Sequence, residues 1–228
     1  MRSDEDLCPY SCPVPGRVMV LLDPSDTVAS VPIRDARNKL GQDLAALDPL
    51  TELRIYTVGD AGRGETIRPR FQMCVPVDPE GGHNPDLFRQ NYDRYHRELD
   101  TVFATVFGEP SDTISPIVEA VQAVTVDVAG AGRTGFRHVV FVSDMVQHST
   151  ELSFFRQTLD YDEDVPPYLR ADLSGFSATV YLLSRRGFPG EIQSRDDFRP
   201  FWDDYGRAMR VRSWEWREVT GVSGSSQD

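Results

Sequence analysis

The chain has 228 residues, and 24 Lys and Arg against 36 Asp and Glu give it a formal net charge of −12 at pH 7. A chain of this length can bury enough surface to fold without a disulfide or a metal, and its composition is ordinary for a globular protein. The acidic balance argues against a protein that follows nucleic-acid phosphates, because that function needs a basic face. Lys39 is the only lysine.

The apolar runs in the chain have the length of strands. Val18–Leu22 and Val139–Val142 are examples, and both are far shorter than the roughly 20 residues that cross a bilayer. The first fifteen residues contain no apolar stretch of the kind found in a signal peptide. We therefore expect no membrane span and a cytoplasmic location, with export only if a leader has been removed.

The cysteines are few and odd in number: Cys8, Cys12 and Cys74. Cys8 and Cys12 alone are too few for a structural zinc site, which usually needs four ligands. We expect reduced thiols, as in a cytoplasmic protein.

Strand-like and helix-like stretches alternate along the chain. Short apolar runs predict strands, and apolar residues at helical spacing after Pro, Asn or Ser predict helices. The expected strands are 17–22, 53–58, 71–77, 137–143, 176–183 and 211–219, and the expected helices begin near Pro32, Asn84, Ser115 and Ser194. Ser194 and Asp197 resemble a capping box for the last helix. This alternation predicts one three-layer, Rossmann-like α/β domain with an open, mostly parallel sheet and helices on both faces.

The predicted domain covers residues 17–220, between a flexible segment, 1–16, and a flexible tail, 221–228. A long loop insert at about 147–175 interrupts the alternation. Its aspartates imitate the start of a calcium loop, but Val165 stands where such a loop needs glycine. We expect a solvated loop that shapes the choice of partner. Its predicted partner-binding residues are Asp160, Asp162, Asp164, Tyr161 and Phe154.

The most informative motif follows the first predicted strand. Asp23, Ser25 and Thr27 have the spacing D-x-S-x-T and form a compact set of oxygens at the strand's carboxyl end. Hard divalent cations such as Mg²⁺ prefer sites made of oxygen ligands. The alternative is an ordinary strand-to-helix turn, in which Asp, Ser and Thr are common caps.

Two later residues belong to the same region of the predicted fold. Ser115 precedes a helix, and Asp144 follows the most apolar strand, so both lie at the crevice where open α/β sheets bind ligands. Each also has a simpler interpretation, since Ser115 and Asp144 can both serve as caps.

With these residues the chain resembles the von Willebrand factor A domain family. Its metal-ion-dependent adhesion site uses D-x-S-x-S, a threonine ahead of a later helix, and an aspartate after the fourth strand. Asp23, Ser25, Thr27, Ser115 and Asp144 match these positions. Thr27 replaces the usual serine and Ser115 the usual threonine, and both keep the hydroxyl. Met145 stands where the family has glycine.

The resemblance implies a binding module rather than an enzyme. In the family, the hydroxyls bind the metal directly, the aspartates act mostly through water, and an acidic group of a partner fills an open position. The resemblance thus implies Mg²⁺, or Mn²⁺ or Ca²⁺, and a protein partner, such as an ATPase or another subunit of a bacterial multiprotein system.

Three alternatives remain. A phosphatase of the haloacid-dehalogenase type also begins with an aspartate after its first strand, but it needs a second aspartate where Ser25 stands and a lysine beyond Lys39. A metal-dependent nuclease is disfavoured by the net charge. The third alternative is a metal-free scaffold with the same fold.

Overall fold

The chain forms one open sheet of six strands. A computed structural model describes residues 7–8, 14–24, 30–63, 67–77, 85–108, 114–129 and 136–219. Its described strands are β1 (Gly16–Leu22), β2 (Glu52–Thr57), β3 (Phe71–Cys74), β4 (Phe136–Ser143), β5 (Ser177–Leu183) and β6 (Ser213–Val219). The strand order is β3-β2-β1-β4-β5-β6. All neighbours are parallel except β3, which runs antiparallel to β2.

The described helices are α1 (Ser30–Ala45), α2 (Pro85–Gly108), α3 (Ile117–Ala129), α4 (Tyr161–Asp164), α5 (Phe188–Gln193) and α6 (Phe198–Ala208). Short 3-10 turns cover Val58–Arg63 and Pro167–Leu169. Among the described residues, no helix combines the length and apolar composition that a bilayer crossing requires.

The sheet separates two hydrophobic cores. Successive side chains of a strand point to opposite faces, so β1 contributes Val18, Val20 and Leu22 to one core and Met19 and Leu21 to the other. The first core also holds buried residues of α1 and α2, and the second those of α3 and α6. The predicted three-layer α/β fold is therefore confirmed, and β1 is apolar from Val18 to Leu22 because both its faces are covered there.

The predicted capping box at Ser194 and Asp197 is wrong. The sequence pattern did not reveal α5, and Ser194 ends that helix by donating its hydroxyl to the Gly190 carbonyl at 2.9 Å. Asp197 precedes α6 without capping it. Its carboxylate instead accepts from the Leu159 amide at 3.2 Å and pairs with Arg195.

A disulfide joins Cys8 to Cys74 at the end of β3. The expectation of reduced thiols is therefore wrong for these two residues, while Cys12 lies outside the described part of the chain. Leu7, beside Cys8, is 4% exposed and belongs to the core shared with α1 and α2. The expected flexible segment 1–16 is thus fixed at residues 7–8, because a covalent bond and a buried side chain hold it there.

A buried charged cluster lies at the edge of the sheet where β1 and β2 begin and the antiparallel β3 ends. Glu52 Oε2 accepts from Arg17 Nε at 2.6 Å, and Glu52 Oε1 accepts from Arg54 Nε at 2.8 Å and from Gln72 Nε2 at 3.0 Å. The three charged side chains are at most 12% exposed. Among the described residues, the Glu52 carboxylate therefore pairs with two guanidinium groups away from solvent.

At the opposite edge, α6 packs against β6 through a glycine. A Cβ at Gly206 would lie 2.8 Å from the Trp214 ring, so no larger residue fits without movement. On the other face of the sheet, the exposed Lys39 of α1 donates from Nζ to the Glu218 carbonyl at 3.4 Å.

Candidate functional site

The candidate site lies where the strand order reverses. β1 and β4 are neighbours, and the chain leaves them toward opposite halves of the sheet, which opens a crevice at their carboxyl ends. Asp23 follows β1, and its amide donates to the Val142 carbonyl of β4 at 3.0 Å. Ser143 and Asp144 come directly after that point on β4, so the topology brings the two segments together.

Asp23 is the centre of a buried hydrogen-bond network. Its Oδ2 accepts from the Ser115 hydroxyl at 2.7 Å and from the Ser143 hydroxyl at 2.6 Å. All three residues are at most 3% exposed. The structure thus brings together the sequence-predicted Asp23 and Ser115. No sequence pattern predicted a role for Ser143 in this network, because Ser143 is simply the last residue of an apolar strand.

Ser115 is held by its backbone rather than acting as a helix cap. Its amide donates to the His148 carbonyl, and the His148 amide donates to the Ser115 carbonyl, each at 2.8 Å. The helix start that Ser115 was expected to cap is served by another residue, since Gln147 Oε1 accepts from the Val118 amide at 3.0 Å. Gln147 is fully buried and also donates to Glu119 at 3.0 Å. The Ser115 side chain is therefore directed to Asp23.

Asp144 is engaged in an ion pair. Its Oδ2 lies 3.2 Å from Arg185 Nε, and both side chains are at most 8% exposed. Its Oδ1 accepts from the Val146 amide at 2.9 Å, as aspartate does in a local turn. Gln193 fixes this arrangement, because its Nε2 donates to the Asp144 carbonyl and its Oε1 accepts from the Arg185 amide, both at 2.9 Å.

Met145 replaces the family's glycine and nevertheless adopts a glycine-like conformation. Its φ is 59°, in the left-handed region that residues other than glycine rarely adopt. Its amide donates to the Ser143 hydroxyl at 2.7 Å, and its carbonyl accepts from Trp202 Nε1 at 3.0 Å. The side chain is fully buried. These contacts hold the backbone turn that places Asp144, so the local loop has the conformation a glycine would favour.

The donor chemistry around Asp23 fits a hard cation. The Ser115 hydroxyl donates its hydrogen bond to Asp23, which leaves the lone pairs of the hydroxyl oxygen as acceptors. Ser25 and Thr27, the other predicted hydroxyl ligands, lie outside the described residues. Within the described ranges no three His, Cys, Asp or Glu side chains converge, so a cation here would depend on hydroxyl oxygens. The Arg185 guanidinium neutralises Asp144 and would weaken that residue's attraction for a cation.

The segment 147–175 combines buried side chains with exposed positions such as Asp160 and Asp162, whereas the sequence predicted a solvated loop. Phe154 and Tyr161 are 1% and 4% exposed and lie in the core shared with α3 and α6, so neither side chain reaches a partner. Asp160 caps α4 by accepting from the Asp162 and Glu163 amides. Asp164 accepts from the Asp160 amide at 2.8 Å. Because Tyr161 is core, removing 160–164 would disturb the fold as well as any binding.

Exposed aromatic residues lie beside the site instead. Phe155 and Phe188 are 37% and 54% exposed, and their ring centroids are 5.8 Å apart. The Phe155 ring is also 4.9 Å from the ring of His148, whose backbone is paired with Ser115. This aromatic patch, made of His148, Phe155 and Phe188, is therefore connected to the Asp23 network. No pattern in the sequence distinguishes the exposed Phe155 from the buried Phe154.

Some solved structures are similar to this chain, although no protein-family model and no curated protein matches it. An aerotolerance-related membrane protein from Bacteroides fragilis is 10% identical, with a TM-score of 0.45 over 90% of this chain and 92% of that chain. BatB from Bacteroides thetaiotaomicron is 10% identical, with a TM-score of 0.46 over 90% and 91%. The human COPII-coat protein Sec24c is 10% identical, with a TM-score of 0.45 over 91% of this chain and 30% of that chain.

Proposed function

We propose that the chain is a protein-interaction module that receives an acidic group of a partner at the carboxyl edge of its sheet. A divalent cation, Mg²⁺ or alternatively Mn²⁺ or Ca²⁺, would be held there by Asp23, Ser25, Thr27, Ser115 and Asp144. The observation that carries the proposal is the pair of hydroxyls, from Ser115 and Ser143, donated to one buried carboxylate oxygen of Asp23. When bound, the cation supplies Lewis acidity and an open coordination position for a carboxylate.

The residues of the chain have distinct roles in this proposal. Asp23 supplies negative charge and orients the Ser115 hydroxyl with its lone pairs free. The backbone pairing of Ser115 with His148 links the cation position to the aromatic patch. Exposed aromatic residues are frequent anchors of protein interfaces, so the patch would bury an apolar side chain next to the partner's acidic residue.

A metal-free interaction scaffold is the second candidate, and the ion pair between Asp144 and Arg185 favours it. Arg185 already supplies a positive charge to the carboxylate in a buried position. In that case the partner would dock on the aromatic patch without any cation. The partner itself, an ATPase or another subunit of a multiprotein system, belongs to the proposal in either form.

Calorimetry with Mn²⁺ and Mg²⁺ distinguishes the two candidates. We expect the wild type to bind, and Asp23→Asn to bind at least tenfold more weakly while keeping its circular dichroism spectrum. Asp162→Asn, an exposed acid on α4, is the control and should bind like the wild type. Absence of binding by the wild type would exclude the cation and leave the scaffold.

Panning a displayed random peptide library tests the interaction itself. In Mg²⁺ we expect selected peptides to carry an acidic residue next to an apolar one, and in chelator we expect that consensus to disappear. Phe155→Ser and Phe188→Ser should reduce the recovery of these peptides. Leu87→Ser, at an exposed leucine on α2, is the matched control and should not. If no consensus emerges in either condition, the chain is not the interaction module proposed.

The disulfide is informative about the cellular compartment of the protein. Disulfides persist in oxidising compartments and are rare in the cytoplasm. The bond between Cys8 and Cys74 therefore favours an oxidising compartment over the cytoplasmic location predicted from the sequence. Alkylation of free thiols in intact native cells, before and after reduction, tests this. Alkylation of Cys8 and Cys74 without a reductant would restore the cytoplasmic expectation.

A further inference from the structure

A groove of about 520 Å³ lies between α1 and α2, on the sheet face opposite α3 and away from the Asp23 network. Its walls are two helical stripes. Arg34, Arg37, Asn38, Gly41, Gln42, Leu44 and Ala45 line it from α1, and Tyr95, His96, Leu99, Asp100 and Phe103 line it from α2. The volume lies within the range of about 300–1,000 Å³ that is usual for small-molecule sites.

The groove has an apolar floor and a charged rim. Leu44, Leu99 and Phe103 are buried, whereas Arg34 and Arg37 are exposed. Arg37 crosses the groove to Asp100, with Nη2 2.8 Å from Oδ1. Arg34 Nε lies 3.9 Å from Asp35 Oδ1, near the outer limit of distance for an ion pair. The residues that line the groove thus include two guanidinium groups and one carboxylate, Asp100, while Asp35 lies beside Arg34 outside the lining.

Tyr95 provides a second observation that points to a ligand. It lines the groove and is 3% exposed, yet its hydroxyl has no hydrogen-bond partner among the described residues. Burial raises the pKa of this phenol above its ordinary value, so the hydroxyl keeps its proton. Buried hydroxyls nearly always have a hydrogen-bond partner, and a polar ligand atom would supply one here.

Gly41 explains why the groove is open. It lies in the interior of α1, where glycine weakens a helix relative to alanine, and apart from its chain neighbours and the backbone of α1 itself no atom of the described residues lies within 4 Å of the position its Cβ would take. A side chain at this position would project into free space along the groove wall. The missing side chain therefore leaves room that the helix itself does not require.

We propose that the groove between α1 and α2 binds a small amphipathic carboxylate. Its apolar part lies on Leu44, Leu99 and Phe103, and its acid group lies at the opening near Arg34 and Arg37. Tyr95 contributes a hydrogen bond from the groove interior. This site is independent of the interaction surface at the carboxyl edge of the sheet.

Fluorescence of the apolar anion 1-anilinonaphthalene-8-sulfonate tests the proposal, with decanoate, below its micelle concentration, as the competitor. We expect the full chain to bind the dye and decanoate to displace it. Decanol, which lacks the charge, should compete at least tenfold more weakly. Asp100→Asn should strengthen decanoate binding several-fold, because it releases Arg37. Equal competition by decanol would overturn the assignment of an acid.

Two substitutions at Gly41 distinguish filling of the groove from a general effect on the stability of α1. Gly41→Phe should fill the groove and weaken dye binding at least tenfold, and the open space around Gly41 allows the variant to fold. Gly41→Ala should bind like the wild type and raise Tm, because it strengthens α1 without filling the groove. Dye binding that Gly41→Phe does not change would overturn the proposal. So would a wild-type dimer, in sedimentation, that Gly41→Phe dissociates, because a second copy would then be the occupant.

Discussion

Reduction of the disulfide between Cys8 and Cys74 should destabilise the chain strongly. The bond links residues separated by 66 positions and encloses β1, α1, β2 and most of β3. In the chain-entropy model, closing a loop of this length removes about 15 cal/mol/K from the unfolded state, or about 4 kcal/mol at 25 °C. For a domain of this size, that loss lowers Tm by roughly 8–16 °C.

The measurement compares thermal unfolding of the wild type, with and without a phosphine reductant, with that of the double variant Cys8→Ser/Cys74→Ser. We expect the reduced wild type and the double variant to unfold at the same lowered temperature. The control, Cys12→Ser, should remain sensitive to the reductant, because it keeps the other two cysteines. A decrease in Tm of less than about 2 °C on reduction would refute the reasoning. So would the detection of three free thiols in the unreduced protein.

Four further substitutions test the packing and electrostatics of the sheet. Glu52→Gln removes the carboxylate charge that pairs with the buried Arg17 and Arg54, so we expect the free energy of unfolding, measured in urea, to fall by roughly 3–5 kcal/mol. Glu218→Gln, in an exposed pair with Arg199, should cost less than about 1 kcal/mol, and equal losses would contradict this account. Burial, followed by the charge of Arg217, lowers the pKa of His138. The unfolded chain then binds the extra proton more readily, so stability should decrease as pH falls below about 6.5. His138→Gln should flatten that dependence in unfolding measured from pH 7 to pH 5, and an unchanged slope would exclude His138 as its source. Met145→Gly relieves about 1 kcal/mol of backbone strain but deletes a buried side chain worth about 2–5 kcal/mol, so calorimetry should record a lower Tm. A higher Tm would mean that backbone strain outweighs packing at this turn.

The architecture could be predicted from the sequence because it depends on local patterns. β1 and β4 contain the continuous apolar runs Val18–Leu22 and Val139–Val142, as expected of strands covered on both faces, and the predicted strand at 211–219 corresponds to the edge strand β6. Apolar residues at helical spacing predicted the helix near Asn84, which is observed as α2, although the aromatic Tyr92 of that helix is 46% exposed. The local signal specifies the element, whereas the tertiary packing decides which residues at its margin are covered.

The candidate site was only partly predictable for the same reason. Asp23 and Ser115 could be selected because each lies at the end of a predicted element, and they meet across 92 residues. Arg185 and Gln193 could not be selected, since their contacts with Asp144 depend on the path of the chain after β5. The disulfide was missed because cysteine spacing does not determine which thiols meet.

The single lysine has a practical consequence for experiments on this chain. Lys39 is the only side-chain amine in a sequence whose other basic residues are all arginine, and it is exposed on α1 next to Asn38 of the groove. An amine-reactive fluorophore therefore has one side-chain attachment point, which lies on α1 beside the Glu218 carbonyl of β6. Labelling at mildly alkaline pH yields a reporter for the packing of α1 against this edge of the sheet without any engineered cysteine, which leaves the disulfide undisturbed.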